Sequence, residues 1–220
     1  MELARRKAIG EEGLKKVQRF AENIILDEAT AHPYLEVSDD RKSVRSLEKK
    51  QSVSENDDRF DTMAAVLGEN RFSSGDHYWE VKVEKKNRWT VGLCVDSVKR
   101  KGWYTAAYPR TGFWTICLKN SQYEALSDPR SILNVPEPLL VVGIFLQYKK
   151  GQITFYNVTD SIILYTFKST FTEVLRPYFY PGPLGEGNME GLHIRTLAVA
   201  DPVISVGDTA ETPQEHPHEP

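Results

Sequence analysis

The chain has 220 residues, with 28 Lys and Arg against 31 Asp and Glu for a formal net charge of −3, and is 40% hydrophobic and 27% charged. This is the balance of a soluble globular protein with room for one sizeable all-β domain, and it carries no electrostatic footprint for a general nucleic-acid role. No apolar run approaches the roughly 18 residues of a membrane span, and Met1-Glu2-Leu3-Ala4-Arg5-Arg6-Lys7 lacks the apolar core of a signal peptide, so direct membrane insertion by this segment is not expected.

In chain order, residues 1–23 read as a helix and linker. Leu14, Val17 and Phe20/Ala21 recur at three-to-four spacing among Lys15, Lys16, Arg19 and Glu22, while Gly10 and Gly13 weaken the first half. So narrow a stripe predicts a helix that leans on a partner or on the domain, and it makes the helix a candidate dimer contact. From Ile24 the pattern becomes β. Short strands are predicted at Ile24-Ile25-Leu26, Leu35-Glu36-Val37 and Ser43-Val44-Arg45, followed by a polar surface loop over 46–58 and a strand at Ala64–Leu67. Over 75–83 the alternation is clear: His77, Trp79, Val81 and Val83 take the inward face, and Tyr78, Glu80 and Lys82 the outer one. The charged turn Glu84–Arg88 joins this strand to a second at 89–95, which reads as a hairpin. Further strands are predicted at 112–118, 123–126, 139–146, 152–156, 163–167 and 191–194. Many short strands separated by turn signals predict an antiparallel β-sandwich. A parallel α/β fold would need crossover helices for which there is no space. Residues 200–220 hold five acidic residues, several prolines and no Lys or Arg, which predicts a disordered acidic tail. The domain proper is expected over 24–199.

No catalytic constellation emerges. His32, His77, His193, His216 and His218 form no metal-ligand spacing with Cys, Asp or Glu. Gly185–Gly191 has the wrong spacing for a dinucleotide loop, and Glu186 and Glu190 would repel phosphate; it reads as a mobile surface loop. Cys94 and Cys117 each sit in a strand-like run and read as buried free thiols of a reducing compartment. The sequon at Asn157 falls within a strand and its turn, where glycosylation is not expected. Lys99-Arg100-Lys101-Gly102-Trp103 reads as a solvated turn, or as a patch for an acidic partner. The expectation is a non-enzyme without cofactor or metal.

The motifs resemble a PRY-SPRY domain. Leu26-Asp27, Thr30-Ala31-His32-Pro33, Leu35, Ser38, Asp40, Ser43-Val44, Arg59-Phe60 and Val66-Leu67-Gly68 are similar to the PRY half. The SPRY half is carried by Ser74-Gly75, His77-Tyr78-Trp79-Glu80-Val81, Trp89, Val91-Gly92, Asp96-Ser97-Val98, Gly112-Phe113-Trp114, Val142–Leu146, Phe155-Tyr156-Asn157, Tyr165-Thr166-Phe167 and Leu175-Arg176-Pro177. Two departures stand out: Gln147 replaces the usual aspartate, and His193–Thr196 replaces a Thr-Ile-Cys-Pro-like last strand. The resemblance implies a bent two-sheet sandwich of concanavalin-like jelly-roll type. It also implies no catalytic activity, and binding of another protein through variable loops at one end.

Such domains form the cytoplasmic part of butyrophilin-like immune and signalling membrane proteins and the substrate-recognition domain of tripartite-motif E3 ubiquitin ligases. The mixed-charge helix before Ile24 and the acidic tail favour the butyrophilin-like parent, and with it a cytoplasmic location. The implied binding face carries Met63, Thr90, Trp103, Tyr104, Tyr108, Cys117, Lys119, Tyr123, Glu124, Arg130, Tyr180 and Leu184. Its tyrosines suit an interface, although each could equally cover core with its hydroxyl in water. Only Arg130 keeps the cationic character of a pyrophosphate-receptor pocket, so phosphoantigen binding is not expected. Cys117 and Lys119 stand where antibody-binding members carry tryptophans, so antibody binding is not expected either.

Overall fold

The computed structural model describes residues 1–102 and 106–198; the expectations for Trp103, Tyr104 and the 200–220 tail lie outside the described residues. After helix α1 (Glu2–Gln18) come strands β1 (Leu26–Asp27), β2 (Leu35–Val37), β3 (Ser43–Ser46), β4 (Val66–Gly68), β5 (Asp76–Lys82), β6 (Trp89–Val95) and β7 (Phe113–Lys119). These are followed by β8 (Gln122–Ala125), β9 (Ser131–Ile132), β10 (Val141–Gln147), β11 (Gln152–Asn157), β12 (Ile162–Lys168), β13 (Leu175–Tyr180) and β14 (Leu192–Ile194). Among the described residues they form two seven-stranded sheets, ordered β1-β4-β13-β6-β7-β8-β9 and β12-β11-β10-β5-β14-β3-β2. All strand pairs within the sheets are antiparallel. The core lies between the sheets, with Trp79 and Val81 of β5 and Trp89, Val91 and Leu93 of β6 in one buried cluster. The expected β-sandwich is therefore what the chain forms.

Two local expectations are corrected. First, β5 and β6 are not a hairpin. β5 lies between β10 and β14 in one sheet and β6 between β13 and β7 in the other, so Glu84–Arg88 crosses between the layers. A short charged turn serves either connection. All seven β6 residues are buried, a burial that an interior position with cover on both faces explains. Second, the outer side of β5 is not open to water. Tyr78 and Glu80 are fully buried because α1 lies across them. Leu14 packs with Tyr78 and Phe145, and Phe20 sits 5.7 Å from Phe145 between ring centroids. The chain leaving the helix bonds to β5 through Tyr78 N–H to Phe20 O (2.9 Å) and Glu22 N–H to Tyr78 O (2.8 Å). Beneath α1, the Glu80 carboxylate accepts from Tyr78 Oη (2.5 Å), Gln18 Nε2 (2.9 Å) and an Arg195 guanidinium N–H (2.8 Å). The helix leans on its own domain through Leu14 and Val17, while Phe20 stays 43% exposed.

β9 and β13 were not anticipated as strands. Pro177 argues against an interior strand because it cannot donate to a ladder. It is accommodated where β4 ends, because the absent side chain of Gly68 leaves room: a Cβ there would lie 3.0 Å from Pro177 Cγ. The neighbouring Arg176 is 1% exposed and bonds to Gly68 O (3.0 Å), Asp27 (2.9 Å) and Asp96 (3.1 Å). One buried guanidinium thus ties together residues from three separate motifs. Thr30 does similar work, donating to Asp27 O (2.8 Å) and accepting from Leu67 N–H (2.9 Å).

Candidate partner-binding surface

Strand register builds the centre of the surface. Tyr180 lies opposite Thr90, Thr90 opposite Cys117, Cys117 opposite Glu124, and Glu124 opposite Ile132. Because Trp89 and Val91 point into the core, this row faces outward. Thr90 and Cys117 are nonetheless only 7% and 2% exposed. With Met63 they floor a small cavity of about 50 Å³, rimmed by Arg88, Lys119 and Arg130. Burial, reinforced by Glu124, pushes the Cys117 thiol up to about 11, and burial pushes Cys94 to about 12. Both are free thiols, neutral at physiological pH and poor nucleophiles.

Tyr180 is the wall shared with a second, larger groove of about 590 Å³. Arg88 lies over the Tyr180 ring, 5.1 Å from its centroid. Leu184 lines the groove together with Tyr34, Leu47, Glu48, Glu186 and Met189. The Gly185–Gly191 stretch, read above as a mobile loop, is stitched down. Buried Asn188 donates to Pro181 O (3.2 Å) and Pro183 O (2.8 Å), and accepts from the backbone N–H groups of Asn87 (3.2 Å) and Arg88 (3.3 Å). Ser46 adds a bond to Gly182 O (2.5 Å). On the opposite wall His32 accepts from Tyr34 N–H at Nδ1 (3.1 Å), so its Nε2 carries the proton donated to Asp61 O (3.0 Å). Desolvation holds His32 below its ordinary value of 6.5, against the pull of Asp61. Protonation would place a second N–H against that of Tyr34.

The remaining site residues divide. Tyr123 covers core: its hydroxyl accepts from Leu139 N–H (3.0 Å) and its ring centroid lies 6.2 Å from that of Trp89. Two guanidinium groups approach the Tyr108 ring, Arg110 at 5.3 Å and Arg130 at 5.8 Å from its centroid. Glu124, itself largely covered, pairs at 3.6 Å with Arg130, whose side chain is half in solvent, a contact worth under about 1 kcal/mol. The structure therefore brings Met63, Thr90, Cys117, Lys119, Arg130 and Tyr180 around one depression and places Leu184 in the next. The wall formed by Tyr34, Leu47, Glu48 and Met189 was missed. Its only sequence signal was apolar residues in stretches otherwise rich in charge and glycine. Among the described residues, no His, Cys, Asp and Glu side chains converge to hold a metal, and no helix is long and apolar enough to cross a membrane.

Comparison with known proteins agrees with this architecture. The SPRY domain profile matches residues 76–193 and the SPRY-associated domain profile matches residues 24–72. Human butyrophilin subfamily 2 member A2 is 47% identical over 163 residues, 74% of this chain and 31% of that protein. Mouse E3 ubiquitin-protein ligase TRIM21 is 44% identical over 173 residues, 77% of this chain and 37% of that protein. The chain thus spans about a third of the length of these relatives. The crystal structure of the TRIM65 PSpry domain shares the fold, with a TM-score of 0.71 at 23% identity over 84% of this chain and 95% of that one. Both halves match in order and the two sheets carry the expected motifs at their cross-links: the chain belongs to the SPRY domain family, as a PRY-SPRY domain.

Proposed function

We propose that this domain is the non-catalytic, cytoplasmic partner-binding module of a butyrophilin-like immune or signalling membrane protein, and that it docks another protein on the surface centred on Tyr180. SPRY domains of butyrophilins and tripartite-motif proteins are protein-interaction modules, and the butyrophilin likeness supports the parent. The observation that carries the docking surface is the pair of adjoining depressions sharing one aromatic wall, bordered by the solvent-exposed cations Lys119 and Arg130. This is the layout of an aromatic anchor with a polar rim. The near-equal likeness to TRIM21 favours a second reading, the substrate-recognition domain of a ubiquitin ligase whose catalysis lies in another domain. The sequence preceding this segment in the gene separates the two: a membrane span supports the first, and zinc motifs with a coiled coil the second.

The surface is tested by quantitative affinity capture from cell lysate. Proteins retained by the wild-type chain should be lost with Tyr180→Ala and Lys119→Glu and kept with Lys150→Glu, an exposed control in the turn between β10 and β11. Equal retention by all four proteins would refute the proposed surface.

A further inference from the structure

The surface is electrically divided. Among the described residues, Arg88 and Lys119 on one side of Tyr180 have no carboxylate partner, and Glu48 and Glu186 on the other have no cation. Nearby charges elsewhere on the rim do find partners, as in Arg130 with Glu124 and Arg110 with Asp128. Glu48 and Glu186 line the groove of about 590 Å³, which meets the cationic side at Tyr180 and falls within the roughly 300–1,000 Å³ typical of ligand sites. Its wall exposes Met189 (61%) and Tyr34 (42%). Exposed apolar side chains flanked by uncompensated charge mark a recognition surface whose partner supplies the missing signs.

We infer that the occupant is an extended peptide segment of a partner protein with a fixed charge order: an acidic residue at Arg88 and Lys119, one or two apolar residues laid across Tyr180 into the groove, and a basic residue at Glu48 and Glu186. The Arg88 guanidinium lies over the Tyr180 ring at 5.1 Å, where the two depressions meet, and supplies the cation for the carboxylate. Ser46–Glu48 and Gly182–Met189 line the groove together with His32, Tyr34, Ala64 and Tyr180, and such a recess takes an inserted chain segment better than it takes a flat protein face. This identification rests on the proposed docking surface and names its partner chemistry.

The test is selection of a random-peptide display library on the 220-residue chain, followed by fluorescence anisotropy with the best synthetic peptide and with its charge-reversed twin. Enriched peptides should share the acidic–apolar–basic order, and the twin should bind at least about tenfold more weakly. Glu48→Lys with Glu186→Lys, both exposed positions, should select peptides with an acidic residue at the formerly basic end. Enrichment without charge order, or equal binding of peptide and twin, would overturn the inference. If no peptides enrich while lysate proteins are still lost with Tyr180→Ala, the partner is a folded surface: the docking site stands and the peptide inference falls. If Tyr180→Ala changes neither readout, both fall.

Discussion

The docking of α1 turns on one glycine. Replacing an interior helical glycine by alanine ordinarily stabilises a helix by about 0.5–1 kcal/mol. At Gly13 nothing lies within 4 Å of the added Cβ, so Gly13→Ala should show that gain. At Gly10 the Cβ would sit 2.5 Å from the Ser161 carbonyl oxygen, which is 0.5 Å inside the 3.0 Å that Cβ contacts do not cross (3.0 − 2.5). The obstacle is backbone in a tight turn. Ser161 has φ of 55°, its N–H bonds to Val158 O (3.3 Å), and Asn157 bonds twice to Asp160 (3.1 and 3.4 Å). The helix must give instead, which loosens Leu14 from Tyr78 and Phe145. Overpacking of this kind costs about 1–3 kcal/mol. The difference between the two variants removes the propensity common to both, leaving a clash of about 1–3 kcal/mol. Amide hydrogen exchange over the second half of α1 reads this local opening directly. Gly13→Ala should slow exchange and Gly10→Ala should speed it. Equal slowing by both would show that α1 does not lie against the Ser161 turn.

Two further perturbations have definite signs. Arg176→Ala removes the guanidinium donors of Asp27 and Gly68 O and opens a buried hole, while Asp96 keeps Arg100 at 3.5 Å, and should lower unfolding free energy by about 3 kcal/mol in urea titration; Arg176→Lys should not restore it, because one ammonium cannot span Gly68 O and both carboxylates as three separate guanidinium nitrogens do. A loss below about 1 kcal/mol for the alanine variant would show that the cross-link is dispensable. For His32 the folded value is depressed, so the unfolded chain takes up the proton first. The contribution is complete above 6.5 and is lost as pH falls below it. Urea midpoints of wild type should therefore decline more steeply than those of His32→Gln between about pH 7 and pH 5, and parallel curves would refute the assignment.

How much of this was legible in sequence depends on which residues speak locally. The alternation of Trp79, Val81 and Val83 is a property of one strand, and it announced the sandwich correctly. What α1 does to Tyr78 and Glu80 is not local. Glu80 looks like an ordinary outward-facing carboxylate until Arg195, which is 115 residues away, and Gln18, 62 away, are placed beside it. The hairpin reading of β5 and β6 failed for the same reason, since Glu84–Arg88 would be equally polar whether the chain doubled back or changed layers. β13 hid behind Pro177, whose tolerance depends on a glycine in another strand. The candidate surface was reached only through family motifs, because the row Tyr180–Thr90–Cys117–Glu124 exists by register among four strands and has no signature in any one of them. The groove wall of Leu47, Glu48 and Met189 lies in connecting segments, where motif matching says least and a partner's demands act most directly. The part of the molecule that sets specificity is thus the part whose meaning comes only from three-dimensional juxtaposition, and the divided charge around Tyr180 is where that meaning can be measured.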